Sequence, residues 1–302
     1  MVRLLTDADV VAHASPERCT AWMREAVVAE HQGRLVAPPR VQVALGDRRL
    51  VYTAGSLAAE WYGYRSYTAP GLDGDDQVVV VHDAESGRVV GLHVGTAIGP
   101  RRVGGIGAVA LEALARPDAS TLAVVGTGNQ AWHQVWAAAA TRRLATVAVH
   151  SRDASRREAF AARVESELGV PATASPSARE AVEDADLVVL ATSSSVPVIE
   201  ASWLRAGAYL TTVGPKQVDR HEFGLDLAER ATVLVTDSLR QLRAYDPPHL
   251  LEGTPHDGRI AELGAVVTGD HALPDAPDLT VFLSVGLAGT EAHLLHRLLG
   301  HV

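Results

Sequence analysis

The sequence predicts an α/β protein: a Rossmann-type, doubly wound parallel sheet joined to an α+β domain whose sheet is mainly antiparallel. Three observations carry that expectation. The apolar run Leu122–Val125 ends in Gly126-Thr127-Gly128, the spacing at which a central parallel strand turns past a phosphate into a helix. After Pro117 the chain alternates strand-like and helix-like segments. Before it, from Arg40 to Val94, strand-like runs follow one another with only turn residues between them.

In chain order, Thr6 is placed to cap a short helix, Asp7–Ala14, and Ser15 a longer one, Pro16–His31. Ala37-Pro38-Pro39 ends that section. The strand-like runs are Arg40–Leu45, Arg49–Ala54, Trp61–Tyr67, Gln77–His82 and Val89–Val94, separated by Gly-Asp, Asp-Gly-Asp and Glu-Ser-Gly turns. A Gly- and Ala-rich helix, Arg101–Ala115, leads to Arg116-Pro117-Asp118, where the domain boundary is placed.

In the second domain Gly126 permits the tight turn, Gly128 lets a pyrophosphate approach the main chain, and Ala131 takes the small position where helix meets strand. Thr127, Asn129 and Gln130, in the same turn and at the start of the helix Asn129–Thr141, are also assigned to cofactor binding. The next strand, Ala145–His150, should end in the residues that read the adenosine ribose. There stand Ser151 and Arg152, a hydroxyl and a planar cation suited to a 2′-phosphate, so NADP(H) is favoured. NAD(H) is the alternative, with Asp153 turning in to accept the ribose hydroxyls.

Further on come a helix at Phe160–Leu168, an extended Pro171–Ala174, a helix at Ser177–Glu183 and an apolar strand, Asp186–Ala191, that ends in hydroxyls. Thr192 and Ser193 therefore belong to the cofactor candidates, because ligands of open parallel sheets lie outside the strands' carboxyl ends. Val213, ending the strand Ala208–Val213, and Ser284 and Gly286, in the turn of the tail, are assigned to the same cleft. Thr232–Thr236 is the last clear strand of the alternating pattern. The tail's strand, turn and helix are expected to return to the first domain, giving residues 1–116 with 280–302 and a dinucleotide domain at 117–279.

A chain of 302 residues, 47% hydrophobic, suffices for two ordinary domains, while a formal charge of -9 argues against a nucleic-acid or anionic-membrane surface. One cysteine, Cys19, excludes an internal disulfide. No CxxC or HExxH pattern occurs, and His93, His150 and His221 are too scattered to nominate a metal site. The first residues are broken by Arg3, Asp7 and Asp9, unlike a secretory signal, and no run approaches membrane-spanning length, so a cytoplasmic location is expected.

Pro39-Arg40, Gly63-Tyr64-Arg65, Gly95-Thr96-Ala97, Arg102, LARPDASTLAVVGTGNQA, ADLVVLATSSSVPVI, GAYLTTVG and TVFLSVGLA together resemble the ornithine cyclodeaminase/mu-crystallin family over nearly the whole chain, in order. The resemblance implies a substrate-binding and dimerisation role for the first domain, and a homodimer whose interface includes the C-terminal helix. It also places Arg40 and Arg102 where family members clamp the substrate α-carboxylate, with Arg101 the neighbouring alternative. That clamp needs a planar fork whose charge does not titrate away.

Two departures from the family pattern bear on chemistry. Arg65 stands where the family usually has a lysine, and Lys216 where the cyclodeaminases have an aspartate, unless Asp219 is that carboxylate displaced. Arginine binds or polarises but is a poor proton shuttle. Were Arg40, Arg65, Arg102 and Lys216 to converge, the pocket would be strongly cationic, favour a multiply anionic substrate and lower the Lys216 pKa towards proton donation.

The expected function is thus an NADP(H)-dependent oxidoreductase on the C–N bond of an amino or imino acid, of imine reductase or amino-acid dehydrogenase type, serving specialised biosynthesis. In it Arg65 and Lys216 are catalytic, and Arg40, Arg65 and Arg102 bind substrate. The alternatives are an NAD-dependent ornithine or lysine cyclodeaminase and a non-catalytic, NADPH-dependent binding protein of the crystallin type.

Overall fold

The structure, a computed structural model, describes residues 2–69 and 76–302. The chain folds as two compact units, Met1–Ile106 with Gly286–Val302, and Gly107–Val285. The division falls inside a helix, α3 (Ile98–Leu114), ahead of the expected boundary at Pro117. The expected Asp-Gly-Asp turn, at 73–75, lies outside the described residues. Among the described residues no helix is long and apolar enough to cross a membrane.

The first unit is built on a seven-stranded sheet. Its strands are β1 (Arg3–Leu5), β2 (Leu35–Val36), β3 (Val41–Leu45), β4 (Arg48–Leu57), β5 (Trp61–Ala69), β6 (Gln77–Asp83) and β7 (Val89–Gly95). Their order is β1-β7-β6-β5-β4-β2, with β3 also on β4; all pairs are antiparallel except β1 with β7. The short β1 and β2 carry too few residues for a period-2 pattern to reveal them. Helix α1 (Asp7–His13) is fixed by a capping box, in which the Asp9 amide donates to the Thr6 hydroxyl and the Thr6 amide to the Asp9 carboxylate. Helix α2 (Pro16–His31) starts at the Ser15 cap.

Alternation along β5 assigns its two faces. Trp61, Gly63 and Arg65 are buried, whereas Tyr62 and Tyr64 are exposed. The buried face meets α10 (Thr290–Leu298), the last helix of the chain. A Cβ at Gly63 would lie 2.9 Å from the Ala292 methyl and 2.4 Å from the Val80 carbonyl oxygen, so glycine is what lets α10 close on the sheet.

The second unit is an eight-stranded parallel sheet with alternating helices. In order come β8 (Thr121–Val125), α4 (Asn129–Thr141), β9 (Thr146–His150), α5 (Ala154–Leu168), β10 (Ala172–Ala174), α6 (Ala178–Val182), β11 (Leu187–Leu190) and β12 (Ala208–Thr212). A two-stranded hairpin follows, β13 (Lys216–Gln217) with β14 (Arg220–His221), then α7 (Leu225–Arg230), β15 (Val233–Thr236), α8 (Leu239–Arg243), β16 (Ile260–Glu262), α9 (Leu263–Thr268) and β17 (Leu279–Leu283). The sheet order is β10-β9-β8-β11-β12-β17-β15-β16. From β8 the chain runs outward to β10, then returns to β11 on the other side of β8, a reversal that opens a crevice at the carboxyl ends of β8 and β11.

Several expectations change. Helix α5 starts at Ala154 rather than Phe160, because Asp153 caps it by accepting the Arg156 amide at 3.1 Å. The strand of the tail does not return to the first unit: β17 is buried at every position, Thr280 included, and sits between β12 and β15, where a strand is covered on both faces. Only Gly286–Val302 goes back. The core of this unit, with Val188, Leu190, Leu210, Leu234, Val281 and Leu283 at its centre, holds the strand ends in fixed register.

Candidate active site

A cleft of about 790 Å³ opens at the carboxyl ends of β8, β9, β11 and β12. Its floor is the turn after β8. Gly126 has φ +118°, and a Cβ there would lie 2.3 Å from the Ala191 carbonyl oxygen, so only glycine brings the chain past the end of β11. Gly128 caps α4 with no side chain, and a Cβ there would meet nothing within 4 Å. The helix thus presents bare amide donors to open space, as an anion site requires. Gln130 Oε1 is buried beside them without a hydrogen-bond partner. The residues fit a dinucleotide: a glycine turn, a free helix N-terminus and an orphaned acceptor line one crevice.

Of the cofactor candidates, Gly126, Thr127, Gly128, Asn129, Gln130, Ser151, Arg152, Thr192, Ser193 and Val213 all line this cleft. Ser284 and Gly286 do not. Ser284 is buried after β17 with its amide donating to Thr212, and Gly286 belongs to the first unit, where it packs against Arg102. Arg156, which the sequence reading missed, joins Arg152 on the wall; its place one helical turn beyond the ribose position was the available signal. Ser151 Oγ donates to the Asp153 carbonyl at 2.9 Å.

Opposite lies a second feature the sequence reading missed. Glu222 is fully buried, and its carboxylate accepts four hydrogen bonds. The Thr212 hydroxyl and Gly214 amide reach Oε1, both at 2.6 Å, while the amide and hydroxyl of Thr192 reach Oε2, both at 2.8 Å. These bonds tie the segments leaving β11 and β12 to the hairpin. Lys216, at the start of that hairpin, is 2% exposed, and its Nζ donates to the Gly214 carbonyl at 2.7 Å. Asp219 is exposed at the hairpin turn, and neither it nor Lys216 is among the residues that line this cleft; nor are Arg40, Arg65 and Arg102.

In the first unit Arg65 and Arg102 converge on one carboxylate, Glu291 of α10, which is 1% exposed. Arg65 Nη1 donates to Glu291 Oε1 at 2.7 Å, and Arg102 Nε lies 3.0 Å from the same oxygen. Arg65 also donates to Gln77 Oε1 through Nε and Nη2, at 3.0 and 2.6 Å, and its guanidinium lies 4.0 Å over the Tyr67 ring. Burial alone would push the Glu291 carboxyl up, but Arg102 and Arg65 outweigh it and hold the pKa below the ordinary glutamate value. The arginines are therefore not the bare dication the sequence suggested. Arg40 is half-buried in the segment between β2 and β3.

With this geometry established, the protein is defined as a two-unit chain whose second unit is a dinucleotide-binding Rossmann domain. Residues 2–296 match the ornithine cyclodeaminase/mu-crystallin family, and the chain belongs to it. A Delta(1)-pyrroline-2-carboxylate reductase of Bacillus cereus is 31% identical over 217 residues, covering 70% of this chain and 66% of that enzyme. Ketimine reductase mu-crystallin of Mus musculus is 27% identical over 262 residues, 86% of this chain and 78% of that protein. Among solved structures, the Thermococcus litoralis Delta(1)-pyrroline-2-carboxylate reductase in complex with NADH and L-proline superposes with a TM-score of 0.89 at 26% identity, covering 100% of this chain and 97% of that one.

Because the folded-state pKa of Glu291 is lowered, its contribution to stability is present at neutral pH and is lost as pH falls through that value. Glu291→Gln leaves two arginines buried against a neutral amide and is expected to cost about 3 kcal/mol at pH 7. Thermal unfolding at a series of pH values should show the gap to wild type narrowing on acidification; a constant gap contradicts the assignment.

Proposed function

We propose that the protein is an NADP(H)-dependent oxidoreductase that reduces the C=N bond of an imino acid to an amine. The observation that carries this reading is the cleft wall after β9, where Ser151, Arg152 and Arg156 stand together. Two guanidinium groups suit a 2′-phosphate, whereas Asp153 on the same wall, the residue that would accept ribose hydroxyls of NAD(H), caps α5 through Oδ1 and lies 3.8 Å from Arg156 Nε through Oδ2. When bound, the dinucleotide supplies a hydride to the imine carbon. Arg65 and Arg102 hold the substrate carboxylate, a task suited to planar forks that keep their charge at every working pH, and Arg40 adds to the clamp. Lys216 delivers the proton to nitrogen, so that hydride on carbon and proton on nitrogen together complete the amine. The reductase names of the matched relatives support this direction. A reductive, amine-forming step fits biosynthesis in the cytoplasm.

The cyclodeaminase alternative needs a carboxylate free to face the substrate amine and a water. In the stretch 214–222 the carboxylates are Asp219, exposed on the turn, and Glu222, closed by its four donors. That occupancy favours the reductase. The purified protein should consume NADPH with cyclic imino acids such as pyrroline-2-carboxylate. Cofactor bound but never consumed would support the crystallin-type binding protein, and ammonia release from ornithine without net cofactor consumption would support the lyase.

The reading also includes a homodimer. Val41, Val43, Tyr52, Tyr62, Tyr64 and Val94 share the face of the first sheet opposite α10, by strand register, and each is exposed. An apolar sheet face of this extent is suited to burial against a second copy. Light scattering should give a dimer mass, and Tyr64→Glu should lower it to a monomer; a wild-type monomer contradicts this. For the cofactor, Arg152→Ala with Arg156→Ala should raise KM for NADPH at least about tenfold, the loss of one charge-assisted contact, with little change for NADH. An equal effect on both cofactors would refute the 2′-phosphate assignment.

A further inference from the structure

We infer that Asp153 sets how strongly the cofactor cleft prefers a phosphorylated ribose, holding that preference low enough for NADP(H) and NAD(H) both to be accepted. The inference rests on the 2′-phosphate reading above and adds the residue that limits it. Among the described residues, the charged side chains lining the cleft are Arg152, Asp153 and Arg156. His150 is the remaining titratable one, and it donates from Nδ1 to the Ser175 carbonyl at 3.1 Å. Under that reading, two cations and one anion meet whatever the ribose carries at its 2′ carbon.

The two oxygens of Asp153 are engaged differently. Oδ1 accepts the Arg156 amide at 3.1 Å and caps α5, which anchors the carboxylate to the helix. Oδ2 lies 3.8 Å from Arg156 Nε, beyond hydrogen-bond length, and both side chains are exposed. Such a pair is loose and screened, so Asp153 tempers the guanidinium charge without occupying its N–H donors. The turn that presents it is tied down in turn: Ser151 Oγ donates to the Asp153 carbonyl at 2.9 Å, and Arg157 Nη1 to the Ser151 carbonyl at 3.1 Å. An ionised carboxylate oxygen only accepts, so Oδ2 suits the hydroxyls of an unmodified ribose. A 2′-phosphate, with close to two negative charges at neutral pH, gains Arg152 and Arg156 but is repelled by the same oxygen. One side chain thus favours one cofactor and opposes the other.

The test titrates NADP+ and NAD+, which differ only in the 2′-phosphate, into the full chain and reads the ratio of their dissociation constants. Wild type should bind both, NADP+ the more tightly. Asp153→Asn removes the charge and keeps an equally good helix cap. It should widen the ratio about fivefold, tightening NADP+ and weakening NAD+, the effect of one screened charge a few ångströms from the phosphate. The widening should shrink in high salt, which loss of a structural contact would not reproduce. Asp153→Ser, a second capping residue without charge, should give the same result and serves if the asparagine variant does not fold. A ratio unchanged or narrowed in these variants, or a wild type that does not bind NAD+, overturns the inference. Arg152→Ala with Arg156→Ala separates it from the reading beneath it. If that double variant binds NADP+ as wild type does, the 2′-phosphate reading itself fails; if it loses NADP+ affinity while Asp153→Asn leaves the ratio unmoved, only the role of Asp153 is refuted.

Discussion

A carboxylate taken out of water must collect its donors from whatever segments surround it, and in each unit of this protein one glutamate imposes that requirement. In the second unit it is Glu222. Its four donors come from Thr192, Thr212 and Gly214, at the ends of two neighbouring parallel strands and the turn beyond them, so satisfying one side chain fixes the rim of the cofactor cleft. In the first unit it is Glu291, reached by Arg65 from a central strand and Arg102 from helix α3. Removing either carboxylate leaves polar groups without partners, the costly outcome in a buried network.

The two requirements differ in what they leave over. Glu222 ends fully hydrogen-bonded, so it shapes the site and has no capacity for acid–base work in that arrangement. Glu291 ends with two cations around one anion. The cofactor side shows the same economy of charge. Asp153 caps α5 through Oδ1 and pairs with Arg156 at 3.8 Å through Oδ2, so one anion stands between the two guanidinium groups on that wall.

The parts of this that could be read from the sequence are the local ones. Gly126, Gly128 and Gln130 form their turn within five residues, and Ser151 and Arg152 follow at the spacing that a strand and a helix dictate, so all of them reach the cleft. Family membership was legible in the same way, through short motifs in a fixed order. Glu222 was not, because its partners lie up to 30 positions away. Glu291 was half legible. It shares a helical face with Leu294, Leu295 and Leu298, all buried, and a carboxylate on an apolar face announces a partner without naming it. β17 was misassigned since a strand shows its partners only through the sheet, and the chain's final return begins after it.

The proposed reaction delivers a hydride to the imine carbon of a substrate whose carboxylate Arg65 and Arg102 would hold. It is tested most directly by running the reaction with NADPH carrying deuterium at C4 of the nicotinamide and analysing the amino-acid product by mass spectrometry and NMR. With each C4 position labelled in turn, one of the two preparations should place a single deuterium on the product α-carbon at every turnover. A product free of deuterium from both, or label returned to the cofactor while ammonia is released, would contradict the account and give the protein to the lyase branch of its family.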